Sequence, residues 1–302
     1  MAKTMKSSSI KEISIDRIFN AILTFILILV NIIMLYPFIY VISTAISDQG
    51  QVIAGNVWLY PRGFDMTAVK QIVQYPLFAR AYLNTIIYSV SATVMVLLMT
   101  SITAYPLSRP KFTASKFLLK IYVVTMFFGG GMIPTYLVYK NYGLVDNPLV
   151  MIIPGAVSAW NLVIVRTFFK STIPESLHES ACIEGANDWT ILWRIVLPLS
   201  KPVLATIALF TMVGVWNNFF TGLLYFNKSE LYPLQLILRM ILINASMSAN
   251  PAEGSFMDFM QKSSTQSLKA AAIVVSILPI ICIYPFMQKY FVKGVMIGSI
   301  KG

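Results

Sequence analysis

Six long apolar stretches divide this chain of 302 residues, and they constrain its fold more than any other feature. They cover about 18–46, 81–108, 121–139, 149–168, 202–222 and 270–288. A helix needs roughly 20 apolar residues to cross the hydrocarbon core of a bilayer, and the centre of each stretch lacks Asp, Glu, Lys, Arg and His. Only 12% of the residues are charged, against about 25% in a soluble domain. The sequence predicts an all-α, polytopic membrane protein with six transmembrane helices.

The distribution of basic residues predicts how those helices are oriented. If the N-terminus lies inside, fifteen of the 23 Lys and Arg residues fall on the cytoplasmic side and eight on the other. This bias follows the positive-inside rule. We therefore expect a cytoplasmic N-terminal segment 1–17, an extracellular loop at about 223–269 and a cytoplasmic tail at about 289–302. The net charge of +11 is then a consequence of topology and does not indicate nucleic-acid binding.

Other local features predict an anchor and no metal site. The apolar run after the basic segment 1–17 is far longer than the core of a signal peptide, so we expect the first span to remain as an anchor. The two cysteines, Cys182 and Cys282, lie in different predicted environments and lack metal-ligand spacing, so we expect neither a disulfide nor a metal site. We interpret the lone histidine, His178, as a solvated residue beside Glu179; a ligand or pH-switch role is the alternative.

Prolines and glycines interrupt the predicted spans. Helix breaks at membrane depth are tolerated where neighbouring helices or a water-filled cavity satisfy the freed backbone groups. Each proline alone could be an ordinary kink, but together they favour a bundle with a permeation path. The residues concerned are Pro37, Pro106, Pro134, Pro154, Pro279 and Pro285, with glycines at 129–131.

The outer end of the fifth predicted span carries candidate residues of such a path. Trp216 offers an indole face, and Asn217 and Asn218 offer amide groups. This combination suits a polar, ring-shaped solute such as a sugar. An interfacial tryptophan belt with helix-bonding amides is the alternative interpretation.

A polar segment, residues 179–199, stands out from the apolar chain around it. The pattern predicts a short helix at 174–184, an end at Gly185 and a second helix that Asn187 or Asp188 caps and Pro198 ends. The second helix is predicted to have one apolar face at helical spacing, formed by Trp189, Leu192, Trp193 and Val196. Such an element has no core of its own, so it must lie against its own helix ends, the membrane surface or a partner protein.

The same segment carries a resemblance to a known family. It resembles the E-A-A-x-x-x-G-(nine)-I-x-L-P motif of binding-protein-dependent ABC importer permeases, through Glu179, Ser180, Ala181, Gly185, Ile195, Leu197 and Pro198. Ser180 replaces the first alanine, which is an exchange of one small residue for another. The final stretch, "QKYFVKGVMIGSIKG" at 288–302, is similar to the tail of the carbohydrate-uptake branch, the maltose-type second permease, and within it the complex-oligosaccharide subgroup.

The resemblance implies a role for the polar segment and a set of partners. A coupling loop at about 170–200 would dock its short helix in a groove of a cytoplasmic ATPase. Glu179, Ser180, Ala181 and Gly185 would form the docking turn, and small side chains there would permit close backbone approach. Ile195, Leu197 and Pro198 would connect this turn to the fifth span.

The implied assembly lies in a bacterial inner membrane. It contains a second homologous permease, two ATPase subunits and an external solute-binding protein that delivers a carbohydrate, which the resemblance implies to be an oligosaccharide. The outer loop would receive that delivery, and its stretch 232–243, "YPLQLILRMILI", is typical of an amphipathic or interfacial helix.

The energy source is expected to lie outside this chain. The sequence has no G-x-x-x-x-G-K-[ST] motif, so ATP and Mg²⁺ are expected on the partner ATPase, and this chain is expected to be a transporter subunit without a cofactor and not an enzyme. A secondary transporter is the main alternative, but it would usually carry a buried ionisable residue in a span. A membrane scaffold is the other alternative, but it would not need the docking motif.

Overall fold

The computed structural model describes residues 14–247 and 264–299. Regular structure within these residues is helical, apart from one isolated antiparallel bridge between Ser47 and Phe64. The all-α prediction is confirmed. In chain order the α-helices are α1 (Ser14–Ala45), α2 (Gln49–Ile53), α3 (Thr67–Gln74), α4 (Phe78–Ser108), α5 (Ser115–Phe127), α6 (Met132–Asn141), α7 (Ala159–Thr172), α8 (Glu175–Ile183), α9 (Asp188–Ile191), α10 (Leu197–Leu199), α11 (Lys201–Trp216), α12 (Phe220–Tyr225), α13 (Leu234–Met247) and α14 (Thr265–Ser299).

Not every predicted span is one continuous helix. Three segments in the described residues are long and apolar enough to cross a membrane alone: Arg17–Ala45, Phe78–Ser108 and Thr265–Cys282. Two further candidates are bent pairs, α5 with α6 at 116° and Asp188–Leu199 with α11 at 80°. The described residues therefore contain three to five candidate spans, and the count of six stays a prediction.

The break between α5 and α6 lies at glycine and not at proline. Gly131 has φ of +82°, a conformation that glycine adopts without the steric cost of a side chain. Pro134, in contrast, lies in the first turn of α6, where a proline needs no intrahelical hydrogen-bond donor. Four other prolines lie inside continuous helices, namely Pro37, Pro106, Pro279 and Pro285.

The fourth predicted span is helical only in its second half. A short 3₁₀ turn covers Pro148–Met151, and the α-helix begins at Ala159. Pro154 lies in the irregular connection between them. Since proline removes a backbone donor and disfavours helical geometry in the residue before it, the local sequence accounts for the gap.

The chain divides into two compact units. The first comprises Met1–Lys70 and Ser255–Val274. In its described part, α1 exposes its apolar side chains along most of its length, as expected of a helix whose surroundings are lipid or another chain. After α1, the backbone N–H of Asp48 donates to the carbonyl oxygens of Arg62 and Gly63 at 3.1 and 2.7 Å, which closes the loop that contains α2.

The second unit comprises Gln71–Gly254 and Val275–Gly302, and α4 is its central helix. α4 packs against α11 and α7 along its length and also contacts α5 and α13. A buried apolar cluster joins α4, α7, α11 and the polar segment. Its fully buried members include Leu162, Val165, Ile191, Val196 and Ile207. The polar segment is therefore part of the core of this unit and not an appendage to it.

Candidate functional site

The polar segment forms two helices joined by a glycine turn. α8 covers Glu175–Ile183, which agrees with the predicted 174–184 to within one residue at each end. Gly185 has φ of +79°, so it takes the left-handed conformation that ends many helices. Asn187 caps the next helix, because its side-chain oxygen accepts a hydrogen bond from the N–H of Thr190 at 2.8 Å.

Each of these two helices has one polar contact with the end of α4. Arg109 Nη1 lies 3.1 Å from Glu175 Oε2 on α8. The hydroxyl of Tyr105 donates to Asp188 Oδ1, at the start of α9, at 3.0 Å. A hydrogen bond to a charged group contributes about 1.5–3 kcal/mol, whereas a partly exposed ion pair contributes about 1 kcal/mol or less.

His178 lies on the inner side of α8, where only 5% of its surface is exposed. Its ring centroid is 5.8 Å from that of Tyr105. Burial lowers the pKa of His178, and the positive charge of Arg109 lowers it further. The prediction of a solvated histidine is wrong, because α8 packs this side against α4.

The predicted apolar face of the second helix is only half correct. Leu192 and Val196 are buried, and Ile191 is buried with them. Trp189 and Trp193 instead expose 58% and 47% of their surface. A π-helical turn spans Leu192–Val196, and this wider turn changes which side chains share a face.

The second helix ends within one residue of the predicted end at Pro198. It continues through Pro198 to Leu199 and then bends by 80° into α11. Ile195 and Leu197 pack against the buried cluster, while Pro198 is exposed. These three motif residues therefore lie at the joint between the polar segment and α11.

The remaining motif residues divide between the inner and outer sides of α8. Ala181 is buried against the cluster, whereas Glu179 and Ser180 are exposed. An added Cβ at Gly185 would meet no heavy atom within 4 Å. Ile183, beside the turn, exposes 86% of its surface. The outer side of the turn is thus open to a partner, with an apolar side chain at its tip.

Sequence analysis missed the two side chains of α4 that hold this segment. Tyr105 lies in the predicted span 81–108, and Arg109 directly follows it. The available signal was weak: a tyrosine hydroxyl and a guanidinium at the predicted cytoplasmic end of an apolar helix. Their partners are 83 and 66 residues away in the chain.

The candidate path residues at the end of α11 are engaged by the chain itself. Trp216 is 4% exposed, and its indole N–H donates to the carbonyl oxygen of Ser276 at 3.0 Å. Asn218 precedes α12, and its side-chain oxygen accepts from the N–H of Thr221 in the first turn of that helix at 3.0 Å. Asn217 is exposed, and its amide nitrogen donates to the carbonyl oxygen of Val213 at 2.9 Å. Of the three, Asn217 is the most accessible to a solute.

A second set of polar contacts fastens α13 to the other half of α4. Asn84 Nδ2 donates to the carbonyl oxygen of Glu230 at 2.7 Å. The hydroxyl of Tyr88 donates to the carbonyl oxygen of Leu231 at 3.1 Å, and Thr85 Oγ1 accepts from the N–H of Leu234 at 2.7 Å. Together they satisfy the backbone that leads into α13 and fix the start of that helix.

The described residues contain no group of three or more His, Cys, Asp and Glu side chains that could hold a metal ion. The site therefore consists of a helical surface and a set of polar and aromatic side chains.

Comparison with known proteins places these features in a wider context. A family model described as binding-protein-dependent transport system inner membrane component matches residues 2–297. Protein LplC of Bacillus subtilis is 40% identical over 90% of this chain and 91% of its own length. The polygalacturonan/rhamnogalacturonan transport system permease protein YtcP of the same organism is 38% identical over 95% and 99%.

A solved structure also matches the fold. It is the crystal structure of a bacterial ABC transporter involved in the import of the acidic polysaccharide alginate. The matching chain has a TM-score of 0.83 and 35% sequence identity, with 92% of this chain and 98% of that chain covered.

Proposed function

Because the chain belongs to the family of binding-protein-dependent transport system inner membrane components, we propose that it forms part of the import path for an oligosaccharide cut from an acidic polysaccharide. The chain is a transporter subunit and not an enzyme. As an ABC importer permease it works with a partner permease, an ATPase and a solute-binding protein. The substrate class, the stoichiometry and the residues that act are the proposed part.

The proposed substrate follows from relatives above 30% identity. One is named for polygalacturonan and rhamnogalacturonan transport and another for import of alginate. Both names describe polymers that carry a carboxylate on sugar rings. An oligosaccharide with the same chemistry is the substrate class that these relatives support for this chain.

The observation that carries the coupling role is the two-sided structure of the polar segment. Its inner side is fixed to α4 through the Arg109–Glu175 and Tyr105–Asp188 contacts. Its outer side exposes Glu179, Ser180 and Gly185. A displacement of the outer side by a docked partner would therefore be transmitted through these contacts to α4, the longest helix of the unit. We place the docked ATPase on this outer side, at the coupling loop of about 170–200.

The complete importer contains this chain, one homologous permease, two ATPase subunits that bind ATP and Mg²⁺, and an external binding protein. We place both termini in the cytoplasm and the loop at about 223–269 outside. Single cysteines at 50–75 and at 175–190, in a chain that lacks Cys182 and Cys282, test this arrangement with an impermeant thiol reagent. Labelling of 175–190 from outside intact cells contradicts it.

The energy source is the decisive test of the function. Vesicles that contain both permeases, the ATPase and the binding protein should accumulate an oligogalacturonate when ATP and an uncoupler are present. The physical reason is that no ionisable residue lies at the centre of a predicted span to couple the solute to an ion. Uptake that an imposed proton or sodium gradient drives without ATP contradicts the proposal.

A further inference from the structure

A single positive charge lies within a mostly apolar helix of this chain. The segment Leu234–Ile243 of α13 is apolar enough to be considered for membrane contact, and Arg239 is the only charged residue in it. A charged side chain in such a segment is costly, so it usually serves a function or has a partner. Arg239 is half-buried, and its surroundings therefore decide which of these applies.

The guanidinium of Arg239 is held against an aromatic ring. Its central carbon lies 4.7 Å from the ring centroid of Phe219. This contact is a cation–π interaction, which stabilises the charge without using the N–H donors at the edge of the group. Within the described residues no carboxylate lies within ion-pair distance of Arg239. The guanidinium therefore has its charge partly stabilised and its donors still available.

Two amide side chains lie near this group. Gln235 precedes Arg239 by one helical turn and lies on the same side of α13. Gln235 Nε2 is 3.4 Å from Asn217 Oδ1, which brings the end of α11 to this side of α13. The side chains of Asn217, Gln235 and Arg239 thus form a polar strip, with Phe219 supporting the guanidinium. Such a strip has donors for a carboxylate and both donors and acceptors for hydroxyl groups.

The helix that carries the strip is firmly positioned. Asn84, Thr85 and Tyr88 of α4 bond the backbone on its N-terminal side. A Cβ added to Gly222 would lie 2.7 Å from Cδ of Pro233, so α12 and the start of α13 are in close contact. A binding site gains affinity when its groups are fixed before the ligand arrives.

We propose that Arg239, supported by Phe219 and flanked by Gln235 and Asn217, binds the carboxylate of a sugar ring as an acidic oligosaccharide enters the permease. This inference rests on the proposed function and names the group that recognises its substrate. The fork of guanidinium donors matches the two oxygens of a carboxylate, while the amides bond neighbouring ring hydroxyls. A neutral sugar of the same shape gains nothing from the charge.

The test compares four variants of the full importer in vesicles, with trigalacturonate as the probe. The variants are Arg239→Lys, Arg239→Gln, Arg239→Glu and, as a matched control, Lys228→Gln, which removes an exposed positive charge from the same predicted loop. The amount of assembled complex is measured for each. We expect kcat/KM for uptake to fall about tenfold or more in Arg239→Gln, consistent with the loss of a hydrogen bond to a charged group. The kcat/KM for uptake should fall less in Arg239→Lys, and in Lys228→Gln it should equal that of the wild type.

The charge reversal separates binding from a structural role. If Arg239 binds the carboxylate, Arg239→Glu lowers uptake well below Arg239→Gln, because it repels the substrate. If Arg239 only packs on Phe219, the two variants are equally impaired, and the inference is overturned. Unchanged uptake in Arg239→Gln overturns it as well. With the methyl ester of trigalacturonate, which has no charge, Arg239→Gln and Arg239→Glu should show similar kcat/KM values for uptake.

Failure of this inference is distinct from failure of the proposed function. If the wild-type importer takes up trigalacturonate with ATP and the Arg239 variants behave as the wild type does, the proposed function stands and the proposed role of Arg239 is wrong. If the wild-type importer takes up neutral oligosaccharides and no trigalacturonate, both the proposed acidic substrate class and the proposed role of Arg239 are wrong.

Discussion

Replacing Gly222 with alanine should disturb the packing of α12 against the start of α13. An added Cβ would lie 2.7 Å from Cδ and 2.9 Å from Cγ of Pro233. Ordinary van der Waals contact begins at 3.4 Å, so the proline ring would have to retreat by about 0.7 Å. That ring is rigid, and Pro233 directly precedes α13. The strain therefore cannot be relieved by rotating a flexible side chain.

The expected cost follows from two opposing effects. Overpacking a tight contact costs about 1–3 kcal/mol, and alanine in place of glycine within a helix returns about 1 kcal/mol. We expect a net destabilisation on the order of 1 kcal/mol, which corresponds to a melting temperature lower by a few degrees. The same displacement moves α13 and Arg239, so uptake of an acidic oligosaccharide should fall several-fold.

Gly214→Ala provides the matched control. Gly214 lies within α11, and an added Cβ there meets no heavy atom of the chain within 4 Å. It should retain the melting temperature or raise it slightly through the helix preference of alanine. Thermal unfolding of the purified importer, followed by tryptophan fluorescence, measures both variants. Equal melting temperatures for the two variants would refute the packing argument, and a larger loss for Gly214→Ala would show that a partner chain controls stability here.

Three further predictions concern the polar segment. Gly185→Ala should reduce the ATPase that co-purifies, since alanine costs about 1–2 kcal/mol in left-handed backbone; Gly185→Asn should reduce it less, and equal recovery would argue against a role for this turn geometry. Tyr105→Phe should lower the sugar transported per ATP hydrolysed, because it removes the hydroxyl that bonds Asp188; an unchanged ratio would separate this contact from coupling. The pKa of His178 is lowered by burial and by the charge of Arg109. The neutral side chain of His178 therefore contributes fully to the stability of the fold above the ordinary pKa of about 6.5, and this contribution is lost as the pH falls through the lower pKa of the folded state. The melting temperature should therefore drop more in the wild type than in His178→Asn between about pH 7.5 and about pH 5.5, and parallel curves would contradict this.

Local sequence was sufficient to predict features that depend on neighbouring residues. Apolar length predicted the helical membrane fold, and the glycine after a short polar helix predicted the turn at Gly185. The sequence also predicted a cap at Asn187 or Asp188, and Asn187 is the cap. These features depend on hydrogen bonds and backbone preferences within a few residues, so one stretch of chain contains all the necessary information. The motif spacing likewise identified the family, which the comparison across residues 2–297 establishes.

Only the tertiary structure decided which sides of those helices face inward and what holds them. Periodicity predicted one apolar face shared by Trp189, Leu192, Trp193 and Val196, but Leu192 and Val196 are buried while Trp189 and Trp193 are exposed. His178 was expected in solvent and instead packs beside Tyr105. The contacts that fix the polar segment and α13 join residues 66 to 149 positions apart. The helical pattern of the sequence does not reveal such partners, because these contacts form only when α4 packs against segments that are distant in the chain. The sequence by itself therefore determined the helices, their main turn and the family, while the packing around α4 decided which side chains support the helices and which remain open to a partner or a solute.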